Sequence, residues 1–176
     1  MPPRQILFVT GASGSGKTAV LQILASRIGP TVPMHHFDSV GVPSLDEMIG
    51  QYGSPEAWQE AMTHQWITRL VTEPTEVGLA VLGGQVRPTF VLDAFRANGV
   101  KRGRLLLLDC APDTRTARLA GPRGQPELAN PQMMAWSAYL RGQADALRIP
   151  VLDTTGMTLD QTAEKVAQHI DAIRTT

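Results

Sequence analysis

The stretch Gly11-Ala12-Ser13-Gly14-Ser15-Gly16-Lys17-Thr18 decides how this chain folds. It meets G-x-x-x-x-G-K-[ST] at every fixed position: Gly11, Gly16, Lys17 and Thr18. The apolar run Ile6-Leu7-Phe8-Val9 precedes it, and Ala19-Val20-Leu21-Gln22-Ile23-Leu24 follows it. The first reads as a strand and the second as a helix, the setting in which this motif binds phosphate. Glycines let backbone N–H groups approach phosphate oxygens without interference from a Cβ. The helix N-terminus adds unpaired N–H groups and its dipole. Lys17 is expected on the β- and γ-phosphates of a nucleoside triphosphate, and the Thr18 hydroxyl on Mg²⁺. The bland alternative is a glycine-rich turn before a helix, and the flanking elements weigh against it.

Working outward, the first strand spans Gln5 to Thr10, and its helix runs from Lys17 to Ile28, stopped by Gly29-Pro30. Val32 to Phe37 reads as a second strand that delivers Asp38. Ser44 and Glu47 form an S-x-x-E capping box, and Ser54-Pro55 opens a further helix. Trp58, Met62, Trp66 and Leu70 recur along it at helical spacing, as core rather than as a substrate platform. Glu76 to Leu82 is a third strand, ending in Gly83-Gly84-Gln85-Val86-Arg87, and Pro88 starts a helix that Gly99 closes. A fourth strand, Arg104 to Leu108, leads to Asp109 and a helix over Thr114 to Leu119. After a Gly/Pro loop at 121–126, Asn130-Pro131 begins a helix to Leu147. Ile149 to Leu152 is a short fifth strand, and Thr158 with Gln161 caps the last helix. Strands alternating with helices mean a parallel sheet covered on both faces, with ligands beyond the strands' carboxyl ends. The phosphate loop, Asp38, the Gly83–Arg87 turn, Asp109 and Asp153 all lie at those ends.

Composition narrows the class. With 176 residues, 43% hydrophobic and 18% charged, the chain is expected to be one globular domain over 1–176. Its formal net charge of zero gives no electrostatic case for a nucleic-acid or membrane partner. Lys17, Lys101 and Lys165 are the only lysines; the arginine bias suits bidentate phosphate binding, and a GC-rich genome produces it equally. The lone Cys110 excludes an internal disulfide framework and reads as a buried packing residue. No apolar run is long enough to span a bilayer, and Met-Pro-Pro-Arg leaves no room for a signal peptide, so a cytoplasmic location is expected.

Several classes of protein share such a loop. A GTPase needs N-K-x-D, and the chain has no Asn-Lys pair. Many ATPases place an acid after an apolar strand, with a glutamate following it to activate water. Leu105-Leu106-Leu107-Leu108-Asp109 has the first part, but Cys110 follows in place of a glutamate.

The layout resembles the nucleotide- and shikimate-kinase-like group of small P-loop kinases over nearly the whole chain, the chloramphenicol phosphotransferase branch among them. Asp38 matches the group's acceptor-facing acid after strand two, and Gly83–Arg87 is similar to its acceptor turn. Arg115, Arg118, Arg123 and Arg141 look like lid and lid-flanking arginines, and Asp153-Thr154-Thr155 sits where the group has its adenine-side loop. The resemblance implies a three-layer, doubly wound, five-stranded parallel sheet in the order 2-3-1-4-5. It also implies a helical acceptor-side insertion at about 44–74 and a lid at about 115–130. The implied chemistry is Mg²⁺-dependent transfer of the ATP γ-phosphate to a small-molecule acceptor, by a monomer or homodimer. Residues 11–18, Arg115 and Asp153–Thr155 would hold the nucleotide, Asp38, Arg87 and Arg141 the acceptor. Lys17, Asp38, Arg118 and Arg123 would act in the transfer. The alternative is an ATPase or a regulatory nucleotide-binding module.

Some readings stay open. Asp38 could instead serve Mg²⁺ or an Asx-type turn, and Arg87 a structural ion pair. His35 and His36 face opposite sides of their strand, so at most one reaches the site, and packing is the expected role of both. Many relatives carry an acid at the end of strand three, where this chain has Leu82-Gly83.

Overall fold

The computed structural model describes residues 4–74 and 78–175. Five strands, β1 (Gln5–Thr10), β2 (Met34–His36), β3 (Leu79–Gly83), β4 (Arg102–Asp109) and β5 (Val151–Asp153), form one sheet in the order β2-β3-β1-β4-β5. All neighbouring pairs are parallel. The expected fold and strand order are the observed ones.

The central strand explains the layering. Ile6 and Phe8 enter one core and Leu7 and Val9 the other, because alternate side chains leave opposite faces of a strand. The Leu7 side is covered by α1 (Lys17–Ile28) and α7 (Leu159–Arg174). The Ile6 side is covered by α3 (Pro55–Thr72), α4 (Pro88–Ala97) and α6 (Pro131–Ala146). The remaining helices are α2 (Leu45–Tyr52), between β2 and β3 with α3, and α5 (Pro112–Ala120), after β4. Trp58 and Trp66 are buried in the core of the Ile6 side, with Met62 packed against it. Both capping boxes form: Ser44 with Glu47 on α2, and Thr158 with Gln161 on α7.

Strand ends depart from the expected ranges for local reasons. β2 starts at Met34 rather than Val32, since Pro33 has no N–H and only its carbonyl joins the sheet, accepting from Val81. β5 is Val151–Asp153, not Ile149–Leu152: the Ile149 N–H closes the end of α6 on the Ala144 carbonyl, and Pro150 again offers only a carbonyl, here to Leu107. β4 reaches back to Arg102, pairing it with Gln5 at the amino end of the sheet, where its first side chains reach solvent. Part of the expected third strand, at 76–77, lies outside the described residues.

Candidate active site

The phosphate loop takes its shape from three left-handed glycines, Gly11, Gly14 and Gly16, with φ of 153°, 83° and 93°. At Gly11 a Cβ would stand 2.4 Å from the Leu108 carbonyl oxygen, so no side chain fits there. The Ser15 N–H closes the loop on the Ala12 carbonyl at 3.2 Å. Its hydroxyl is buried and unpartnered among the described residues. Lys17 is only 8% exposed and makes no hydrogen bond or salt bridge among the described residues. Burial first, then the nearby Arg123, push its ammonium down to about 7; Asp38 pulls the other way. A narrow glycine cradle with a buried, unpaired cation at its end fits a polyphosphate.

Lys17 and Thr18 share a cavity of about 210 Å³ with Leu21, His36, Phe37, Asp38, Gly83, Gly84, Gln85 and Arg123. Asp38 stands on the 3-10 turn Phe37–Val40 and is the only carboxylate in that lining. The turn after β3 is pinned by Thr10, whose hydroxyl donates to the Val86 carbonyl at 2.8 Å and accepts the Val86 N–H at 3.2 Å. The Gln85 amide donates to the Ser13 hydroxyl at 2.7 Å, tying the acceptor turn to the phosphate loop. Side chains are crowded out at Gly83 and Gly84: a Cβ would meet the end of the Leu21 side chain at the first and Phe37 Cβ, at 2.5 Å, at the second. At Gly83, where many relatives carry an acid, the end of the Leu21 side chain fills the space beside the backbone.

A second cavity, of about 600 Å³, is lined by Gly14, Gly16, Thr18, Ala19, Gln22, Arg118, Pro122, Arg123, Met157 and Leu159. Its apolar wall and its contact with the phosphate loop suit the base and ribose of a nucleotide. Arg118 donates to the Thr154 hydroxyl at 2.9 Å and carbonyl at 2.7 Å and reaches the Gly14 carbonyl at 3.3 Å. Arg123 and Thr18 line both cavities.

The other anticipated residues stand outside both linings. Arg115 is buried behind the phosphate loop. Arg141 pairs with Asp145 and, at 3.5 Å, with Asp109. Arg87 donates to Gln59 Oε1 at 2.9 Å, lies 3.8 Å from Glu56, and faces the rings of Phe90, Trp136 and Tyr139. Asp153 accepts from the Thr155 N–H and hydroxyl, which holds its carboxyl below the usual range. Thr155 in turn accepts the Ala111 N–H at 2.9 Å.

Sequence reasoning passed over Gln22, Met157 and Leu159, and named Gln85 only as part of the Gly83–Arg87 turn. Leu159 stands 48% exposed at the start of α7, and an apolar residue directly after the Thr158 cap was the available signal. His36 corrects an expectation: it lines the first cavity, while His35 packs against Trp66 at 5.7 Å between ring centres.

The fold is that of the small P-loop kinases. Shikimate kinase from Acinetobacter baumannii, solved with shikimate, is similar at a TM-score of 0.63 and 16% identity, over 96% of this chain and 94% of that one. The tunicamycin resistance protein of Deinococcus radiodurans matches at a TM-score of 0.64 and 18% identity, over 95% of each chain. Thymidylate kinase from Candida albicans matches at 0.57 and 15% identity, over 98% of this chain and 93% of that one. No family model matches the sequence, and no curated protein matches it. No helix among the described residues is long and apolar enough to cross a membrane.

Proposed function

We propose that the protein is an ATP-dependent phosphotransferase that moves the γ-phosphate to a hydroxyl of a small molecule. The observation that carries this reading is the cavity shared by Lys17, Thr18 and Asp38. One end of it belongs to the phosphate loop and the other to a lone carboxylate on the acceptor side. Solved kinases of shikimate, gluconate and thymidylate share the fold, which favours transfer to a small molecule over other uses of the loop.

Residues 11–18 bind the triphosphate through backbone N–H groups and Lys17. Thr18 is the residue that would hold Mg²⁺, which when bound neutralises phosphate charge. Asp38 accepts or orients the acceptor's hydroxyl proton. Arg123, on the exposed Gly/Pro loop at 121–126 of the expected 115–130 lid, reaches the transferring group from between the two cavities, and Arg118 stands against the nucleotide; the lid's α5 part is anchored by Arg115. Closure of that lid excludes water, so the acceptor rather than water is phosphorylated.

The acceptor reads as an uncharged or weakly charged hydroxyl compound. The two arginines of the acceptor side are already committed: Arg87 to Gln59, Glu56 and three rings, Arg69 to Glu73 and the Trp66 ring. The cations that do line the Lys17 cavity, Lys17 and Arg123, serve the transferring phosphoryl group in this reading, which leaves no other lining cation for an acceptor's phosphate. The ATPase reading is disfavoured because Asp109, the candidate acid after an apolar strand, bonds Arg115 instead of lining the Lys17 cavity.

The test is a phosphate-release assay with and without a panel of sugars, nucleosides, nucleotides, hydroxy acids and antibiotics. Slow hydrolysis alone with one phosphorylated product is expected. Rapid hydrolysis that ignores the panel would make the protein an ATPase, and binding without turnover a sensor.

A further inference from the structure

Arg115 is the largest side chain among those fully buried, at 1% exposure. On α5 it shares the buried stripe with Leu119, one helical turn on, where an apolar residue would pack at lower desolvation cost. Its guanidinium is nonetheless specifically placed. One nitrogen donates to the Ser13 carbonyl at 2.7 Å. Another donates to Asp109 Oδ1 at 3.0 Å and to the Ser137 hydroxyl at 2.7 Å. Ser137 donates to the same Asp109 oxygen at 3.2 Å, and Arg141 meets the other oxygen at 3.5 Å. The stem of Arg115 also lies beneath Gly14, where a Cβ would come 2.9 Å from Arg115 Cγ.

We infer that Arg115, anchored by Asp109, is a positioning residue for phosphate binding: it holds the Ser13–Gly14 peptide so that the Gly14 N–H faces the nucleotide. In a planar trans peptide the C=O and N–H point in opposite directions. The Ser13 carbonyl points back into α5, so the Gly14 N–H points to the concave side of the loop. That N–H donates to no acceptor among the described residues. Gly14 could adopt the flipped peptide at little steric cost, since glycine tolerates both signs of φ; the buried guanidinium removes that freedom. Asp109, at the end of β4, therefore acts on the phosphate loop from behind.

The inference rests on the nucleotide reading of the loop, and its test separates the two. Arg115→Met keeps the packing and removes the bond to Ser13; Asp109→Asn with Arg115→Met also removes the carboxylate's charge, in case the single variant fails to fold. Affinities for Mg-ATP and for adenosine are measured by calorimetry and ligand-observed NMR, and the Gly14 amide resonance is followed without nucleotide. The expected result is ATP affinity at least tenfold weaker, adenosine affinity unchanged, an unfolding temperature lowered in the single variant and restored in part in the double one, and a shifted or broadened Gly14 amide. Arg115→Lys, which can still donate to the Ser13 oxygen, should recover part of the ATP affinity. Equal losses for ATP and adenosine, or an unmoved Gly14 amide, would overturn the inference. A wild-type protein that binds no ATP would refute the proposed function, and the Gly14 amide would still decide the role of Arg115 in the loop.

Discussion

Lys17 illustrates how one residue carries both a cost and a function. Its folded-state value of about 7 lies below its usual 10.5, so the charged form is disfavoured in the folded protein. The penalty is complete below pH 7 and is relieved as pH rises toward 10.5. Lys17→Met should therefore raise the unfolding temperature of the nucleotide-free protein by a few degrees at pH 6, with a smaller gain at pH 9, by scanning calorimetry. On the proposed function, the phosphates of ATP would restore the charged form. Binding of Mg-ATP at pH 8.5 should take up close to one proton, and at pH 6 almost none, as read by titration calorimetry in buffers of different ionisation heat. Asp38 carries the complementary prediction. Asp38→Asn keeps size and hydrogen bonding and should leave ATP affinity near normal while phosphorylation of the true acceptor falls about a hundredfold or more. Weakened Mg²⁺-dependent ATP binding would make Asp38 a metal-site residue instead. The phosphate loop was legible residue by residue because its chemistry sits in one short run. Arg115 was not, because its burial depends on α5, α6 and β4 meeting, and nothing in its sequence neighbourhood separates it from Arg118, which stands part-buried against Thr154.

The elements themselves were readable where a local signal marks their ends. Ser44 with Glu47 and Thr158 with Gln161 announce helix starts through the spacing of a side-chain acceptor and a returning side chain. Strand starts were misplaced where a proline interrupts the ladder: Pro33 and Pro150 have no N–H, so β2 and β5 begin one residue after each. The closeness of α1 to β3 was invisible. Leu21 packs where a side chain at residue 83 would stand, so Gly83→Ala should cost about 1–3 kcal/mol of stability by overpacking. Urea denaturation would measure it, and adding Leu21→Val should return part of the loss. A cost near zero would mean that α1 can shift away from the sheet.

At the scale of the molecule, the two cavities meet at Thr18 and Arg123. An arginine that contacts the transferring group chiefly in the transition state lowers kcat and kcat/KM together when removed. Arg123→Ala should do so, and Arg118→Ala, which sits on the nucleotide side alone, should act mainly through the KM for ATP. Steady-state kinetics with the identified acceptor would tell the two patterns apart. The shared wall also says how this protein could be inhibited. A single compound that joins adenosine to an acceptor through a phosphate chain would pass Thr18 and Arg123 and fill both chambers at once. Tethering makes the second contact intramolecular, so such a bisubstrate ligand should bind far more tightly than either half, provided its bridge matches the span between the chambers.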